Sequence, residues 1–227
     1  MNSSNNKKLS RTSLRREKER EQKRLKIIEV AEKLFFSQGF DNTTMEQIAY
    51  ESEFSKGTLY NYFRSKDELY IAIGIKAYEL IIQYTIDFTK KHDSGVTQLM
   101  AIGYAYYEFT KDYPNFAFIF HDISLKEPNI ISKSKNEISE IEDQYLKLGN
   151  SYWEIMFNIL DNAIKNKKIR ADKDPSMIAY MLATLTKGLI EDLMQTPEIL
   201  KREFKIEPDK IIDFTFEILG DGLKPRE

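Results

Sequence analysis

The chain has 227 residues, 41% hydrophobic and 31% charged, with 34 Lys+Arg against 36 Asp+Glu, two histidines and no cysteine. That mixture suits a folded chain with one or two cores. It excludes disulfides and thiolate chemistry, and neither a signal-like start nor an uncharged apolar run of about eighteen residues points to a membrane. The small net charge hides a segregation, since residues 1–66 carry 14 Lys+Arg and 9 Asp+Glu and the remainder carries 20 and 27. A polyanion would be drawn to the first part and repelled by the second, although a charge run is also what a solvated face looks like.

Residues 1–20, MNSSNNKKLSRTSLRREKER, are too polar to pack a core and read as a basic arm, disordered at first and helical towards Arg15. Lys7, Lys8, Arg11, Arg15 and Arg16 are cations of the kind that follow phosphates or enter a minor groove. A solubilising tail reads equally well. From Glu21 to Ser37, Leu25, Ile28, Ala31, Leu34 and Phe35 recur at three and four, which predicts an amphipathic helix ending at Gly39. Lys23, Arg24 and Lys26 lie on its outer side.

Residues 43–66, TTMEQIAYESEFSKGTLYNYFRSK, hold the order that folding alone does not explain. Thr44 with Gln47 is a capping-box pair opening a short helix whose apolar residues are Met45, Ile48 and Ala49. After a tight break at 51–54, Ser55 offers a second N-cap, with Leu59 and Phe63 turned inward. What remains outward is Ser55, Lys56, Gly57, Thr58, Tyr60, Asn61 and Tyr62: hydrogen-bond donors, a cation and a residue with no side chain. Such a face suits base edges and phosphates better than water, and Gly57 lets a helix backbone come close to the bases.

The order Thr44-x-x-x-Ile48-Ala49, followed by Ser55-Lys56-Gly57-Thr58-Leu59-Tyr60-x-Tyr62-Phe63-x-Ser65-Lys66-Asp67-Glu68-Leu69, resembles the DNA-binding domain of the TetR family of bacterial one-component repressors, over roughly residues 24–70. The resemblance implies an all-helical homodimer with an N-terminal helix-turn-helix and a C-terminal domain that holds an inducer. Where the family usually has Ala then Gly in the turn, this chain has Ser52 and Glu53. A left-handed Glu53 gives up about 1 kcal/mol relative to Gly. The DNA-binding candidates are Thr44, Ser55, Lys56, Gly57, Thr58, Tyr60, Asn61, Tyr62 and Lys66, the last as a phosphate anchor at the start of a fourth helix.

That fourth helix is capped by Ser65, with Glu68 at the capping-box position, and runs through Leu69, Ile73, Tyr78, Ile81 and Ile82 to about Lys91. Residues 96–112 form a helix with an aromatic side at Tyr104 and Tyr107. Pro114–Ile123 reads as a short helix, Pro128 and Asn129 as a loop, and Ile130–Asn166 as one long helix that Gly149 bends. Asp174 and Pro175 open a helix to about Met194 that is apolar almost all round, including Met181, and a last helix follows Pro208. The unpartnered faces of 174–194 and 208–220 are best buried across a twofold axis, as the resemblance also implies.

Tyr104, Tyr107, Phe120, His121, Trp153, Met156 and Met181 are the ligand-binding candidates, since ligand cavities are mostly apolar with few polar groups. Aromatics and methionines at helical spacing also make plain core, and spacing alone does not separate the two.

The expectation is an all-α protein of about nine helices. It divides into an arm (1–20), a three-helix helix-turn-helix domain (21–66) and a C-terminal ligand-binding and dimerisation domain (67–227). No cofactor and no metal are expected. The partners are double-stranded DNA with a palindromic operator, a small-molecule inducer and a second copy, in the cytoplasm and without a membrane. An enzyme finds no support in any GxSxG elbow, P-loop or HExxH pattern. A sequence-tolerant architectural DNA binder would leave the acidic, aromatic C-terminal half without a purpose.

Overall fold

The structure, a computed structural model, describes residues 11–225. Regular structure among the described residues is entirely helical: α1 (Arg11–Gln38), α2 (Met45–Glu51), α3 (Lys56–Tyr60), α4 (Lys66–Thr89), α5 (Val96–Asp112), α6 (Pro114–Ile131), α7 (Glu140–Lys165), α8 (Pro175–Gln195), α9 (Pro197–Ile199), a π-helical turn (Leu200–Phe204) and α10 (Pro208–Leu223). The chain divides into two compact units, Met1–Ile73 and Gly74–Glu227. Helix α4 supplies residues to both and is long and apolar enough to cross a membrane, but most of that stretch is buried in the fold.

In the first unit the core is a small apolar cluster. Ile27, Ile28, Ala31 and Phe35 of α1 meet Met45, Ile48 and Ala49 of α2, Leu59 of α3, then Phe63 and Leu69. Helix α1 starts at Arg11, so the turns expected to become helical towards Arg15 and the amphipathic stretch expected from Glu21 form one helix. From Arg15 to Arg24 it is wholly Arg, Lys, Glu and Gln, which are strong helix formers, and Arg15 Nε meets Glu19 Oε1 at 2.8 Å one turn on. Lys7 and Lys8 lie outside the described residues. Leu25, expected inward, is exposed, because the seam runs through Ile27, Ile28, Ala31 and Phe35 and leaves Leu25 to one side.

The second unit packs α5 against α6, α7, α8 and α10. Close approach is arranged by small residues: Gly103 leaves room for the ring of Phe216, and a side chain on Gly149 would press against the Tyr78 phenol at 3.1 Å. The 128–130 region corrects the expected loop, because Pro128 lies inside α6. It falls in the last turn, where the one helical bond its missing N–H forfeits weakens only the end of the helix. The long helix expected from Ile130 is therefore shorter and begins at Glu140. Ser139 opens it with a full capping box, Glu142 N donating to Ser139 Oγ at 3.2 Å and Ser139 N to Glu142 Oε2 at 2.9 Å.

Candidate nucleic-acid interface and ligand cavity

The two short helices of the first unit are fixed at their starts by side chains. Thr44 Oγ1 accepts from Gln47 N at 3.2 Å, and Ser55 Oγ accepts from Thr58 N at 3.1 Å. The Thr44 box is only half made. Gln47 pairs instead with Gln38 of α1, each amide donating to the other at 3.3 and 2.8 Å, and so ties α2 to α1. The turn between the helices runs through Ser52, buried with its hydroxyl donating to Ile48 O at 2.7 Å, and Glu53, left-handed at φ 63°. Glu53 Oε2 accepts from Lys26 Nζ at 2.6 Å, and that bond lowers the Glu53 pKa.

Helix α3 buries Leu59 completely and, one turn on, Phe63. Thr44, Ser55, Lys56, Gly57, Tyr60 and Asn61 are exposed, and Thr58 and Tyr62 half-buried. A Cβ on Gly57 would meet nothing within 4 Å. These eight candidates thus fall on the two helix starts and the open side of α3.

Two cations are not free as the sequence suggested. Lys56 pairs with Glu46 of α2, which raises the Lys56 pKa and lowers that of Glu46. Lys66 turns into the first unit: its ammonium donates to Phe40 O at 2.7 Å and Thr43 O at 2.9 Å and lies 4.1 Å from the centre of the Phe40 ring. Phe40 itself stacks edge-on against Tyr70 at 4.8 Å. The expected phosphate anchor is thus a clamp on the α1–α2 connection, with one N–H left over. Tyr50, which inward-facing spacing passed over, stands 81% exposed on α2.

The second unit holds a cavity of about 530 Å³. Of the seven candidates, Phe120, His121, Trp153 and Met156 line it and three do not. Tyr104 donates to Asp213 at 2.9 Å, packs edge-on against Phe216 at 4.8 Å and has its pKa pushed up to about 12 by burial and that bond. Tyr107 donates to Asp209 at 2.6 Å. Both phenols therefore hold α5 to α10. Met181 is 41% exposed on α8.

Polar residues that periodicity did not flag complete the lining: Ser124, Glu127, Lys187 and Glu191. His121 Nδ1 lies 2.5 Å from Glu191 Oε1, and Lys187 Nζ donates to Ser124 Oγ at 2.5 Å. Among the described residues no group of three or more His, Asp or Glu is disposed to hold a metal.

On the outside of the same unit, Met177, Tyr180, Met181 and Leu185 of α8 and Phe214 and Ile218 of α10 are between 41% and 66% exposed.

Residues 27–73 match the family described as bacterial regulatory proteins, tetR family. A curated relative, the uncharacterised HTH-type transcriptional regulator YuxN of Bacillus subtilis, is 37% identical over 71 residues, 31% of this chain. The match spans 24% of YuxN's length, so the likeness is one of the N-terminal part. The whole fold is similar to a protein of unknown function from Rhodococcus sp. RHA1, with a TM-score of 0.69 at 17% identity over 88% of this chain and 95% of that one. It is also similar to the regulator FadR of Bacillus subtilis, solved in complex with stearoyl-CoA, with a TM-score of 0.61 at 17% identity over 88% and 98% of the two chains. The matched family and YuxN are described as transcriptional regulators, and the two solved structures share the fold.

Proposed function

We propose that this chain, whose residues 27–73 match the tetR family of bacterial regulatory proteins, is a regulator that binds a palindromic operator as a cytoplasmic homodimer and represses until a small, largely apolar ligand fills the cavity of the C-terminal unit. The observation that carries the reading is the division of α3 into a fully buried Leu59 and an open side of Ser55, Lys56, Gly57, Tyr60 and Asn61. A five-residue helix with donors outward and no side chain at its second position suits major-groove edges. Tyr60 and Tyr62 add phenols for phosphate oxygens, and Tyr50 joins them from α2.

One such reader contacts few base pairs. Two held about 34–36 Å apart, or a multiple, meet successive major grooves on one side of a duplex and add their free energies. The exposed apolar residues of α8 and α10 support a second copy as what holds the pair, through residues 174–194 and 208–220. The cavity supports an effector, and FadR, a neighbour of the same fold, was solved in complex with stearoyl-CoA, a molecule with a long apolar acyl chain. Helix α4, shared by both units, is the natural carrier of a ligand's effect to the reader.

Selecting bound sequences from a random duplex pool tests the reading. A two-half-site palindrome, preferred over random duplex by about 10³-fold or more at physiological salt, is expected. Enrichment of no sequence would mark a sequence-tolerant binder instead.

A further inference from the structure

We propose that the cavity of the C-terminal unit takes a lipophilic monocation, an apolar body ending in an ammonium group, with Glu127, beside the Tyr78 hydroxyl, as its counter-ion. The inference rests on the cavity being the effector site and adds the chemistry of its occupant.

Apart from the tyrosines, the titratable groups lining the cavity are His121, Glu127, Lys187 and Glu191. Three of them answer one another. Glu191 has His121 Nδ1 at 2.5 Å, the Tyr106 hydroxyl at 3.5 Å and Lys187 Nζ at 3.9 Å, while Lys187 also donates to Ser124. The one ammonium in the lining is thus matched by one carboxylate, which leaves no spare positive charge for an anionic ligand.

Glu127 takes part in none of these bonds. Its Oε1 and the Tyr78 hydroxyl converge over Gly149, lying 3.7 and 3.1 Å from where a Cβ there would stand. Around that point the aromatic rings close in: Tyr78 has Phe120 at 4.9 Å and Tyr152 at 6.3 Å between ring centres. Burial raises the Glu127 pKa, and Lys187 only partly opposes it. A carboxylate in an aromatic enclosure with its charge unmatched is costly when empty and is relieved by a cation, which the ring faces also attract. The lining carries two carboxylates, Glu127 and Glu191, against the one ammonium of Lys187, so a single positive charge on the ligand balances that pair of carboxylates.

Trp153 is the protein's one tryptophan and lines the cavity, so its fluorescence reports occupancy in the full-length chain. Three probes share one apolar body: phenylbutyl-trimethylammonium, phenylbutanol and phenylbutanoate. The ammonium probe is expected to bind about tenfold tighter than the alcohol. Glu127→Gln should erase that preference while leaving the alcohol's affinity unchanged, with a circular-dichroism melt confirming that the variant folds. Equal or tighter binding of the alcohol or the carboxylate, or a preference that survives Glu127→Gln, overturns this inference alone. Binding of none of the three takes the effector-site reading down with it.

Discussion

The ammonium of Lys56, at the first position of α3, is held by the carboxylate of Glu46 in the first turn of α2. The pair is exposed, so it adds little to stability, yet it decides how much positive charge the reader presents. A phosphate at Lys56 must displace Glu46 or share the ammonium with it. Glu46→Gln is therefore expected to tighten operator binding by roughly threefold and to steepen the salt dependence by about one phosphate contact, whereas Lys56→Ala weakens and flattens it. Gel-shift titrations at several salt concentrations read both, and an unchanged slope in both variants would remove Lys56 from the interface.

Gly57 separates stability from recognition. Since a Cβ there meets only open space, Gly57→Ala should raise helix stability by about 0.5–1 kcal/mol. A bulky replacement such as Gly57→Leu should leave the melting temperature at or above that of the wild type and weaken operator binding by tenfold or more, as the backbone is held off the groove. Unchanged affinity would exclude close approach of α3.

Lys66 is expected to behave in the opposite way. Its two bonds to the carbonyls of Phe40 and Thr43 are charge-assisted, and Lys66→Met should cost about 2 kcal/mol of stability. The salt dependence of DNA binding should stay as it was. A flattened slope with an unchanged melt would restore the phosphate-anchor role.

Leu185 is 49% exposed and Phe214 60% exposed in the single chain. Leu185→Glu and Phe214→Glu should therefore leave the monomer's helicity intact while halving the mass seen by light scattering and weakening operator binding. A protein that is already monomeric as wild type would refute the paired-reader arrangement.

Burial holds the Glu127 pKa above its ordinary value of 4.5. Below about pH 4 the group is neutral in both folded and unfolded chains and carries no charge penalty. As pH rises through the folded-state pKa, the carboxylate must be kept in the cavity and stability is lost. Glu127→Gln should thus melt on the order of one or two degrees above the wild type at neutral pH, and the gap should close below about pH 4. A gap that is constant with pH would mean that Glu127 does not titrate differently on folding.

What the sequence disclosed was local. Thr44, Ser55, Ser65 and Asp174 cap helices with their own neighbours as partners, at spacings of two or three residues. The errors lie where the deciding partner is distant. Lys66 looks like a free cation until Phe40 and Thr43, 26 and 23 residues away, are brought to it. Tyr104 and Tyr107 share a helix with the cavity-lining Met100 and Tyr106. Whether they face the cavity or α10 depends on the rotation of α5, which Asp209 and Asp213 settle from more than a hundred residues away. The Ser139 box was legible but masked by reading Pro128 as a break.

The left-handed Glu53 marks where this chain has room to become sturdier. Glycine at 53 would relieve about 1 kcal/mol of backbone strain, and it would also release Lys26, now tethered at 2.6 Å, to the solvent side of α1. One substitution at the elbow would then harden the reading head against heat and add a loose positive charge beside it, so thermal tolerance and indiscriminate affinity for nucleic acid would rise together.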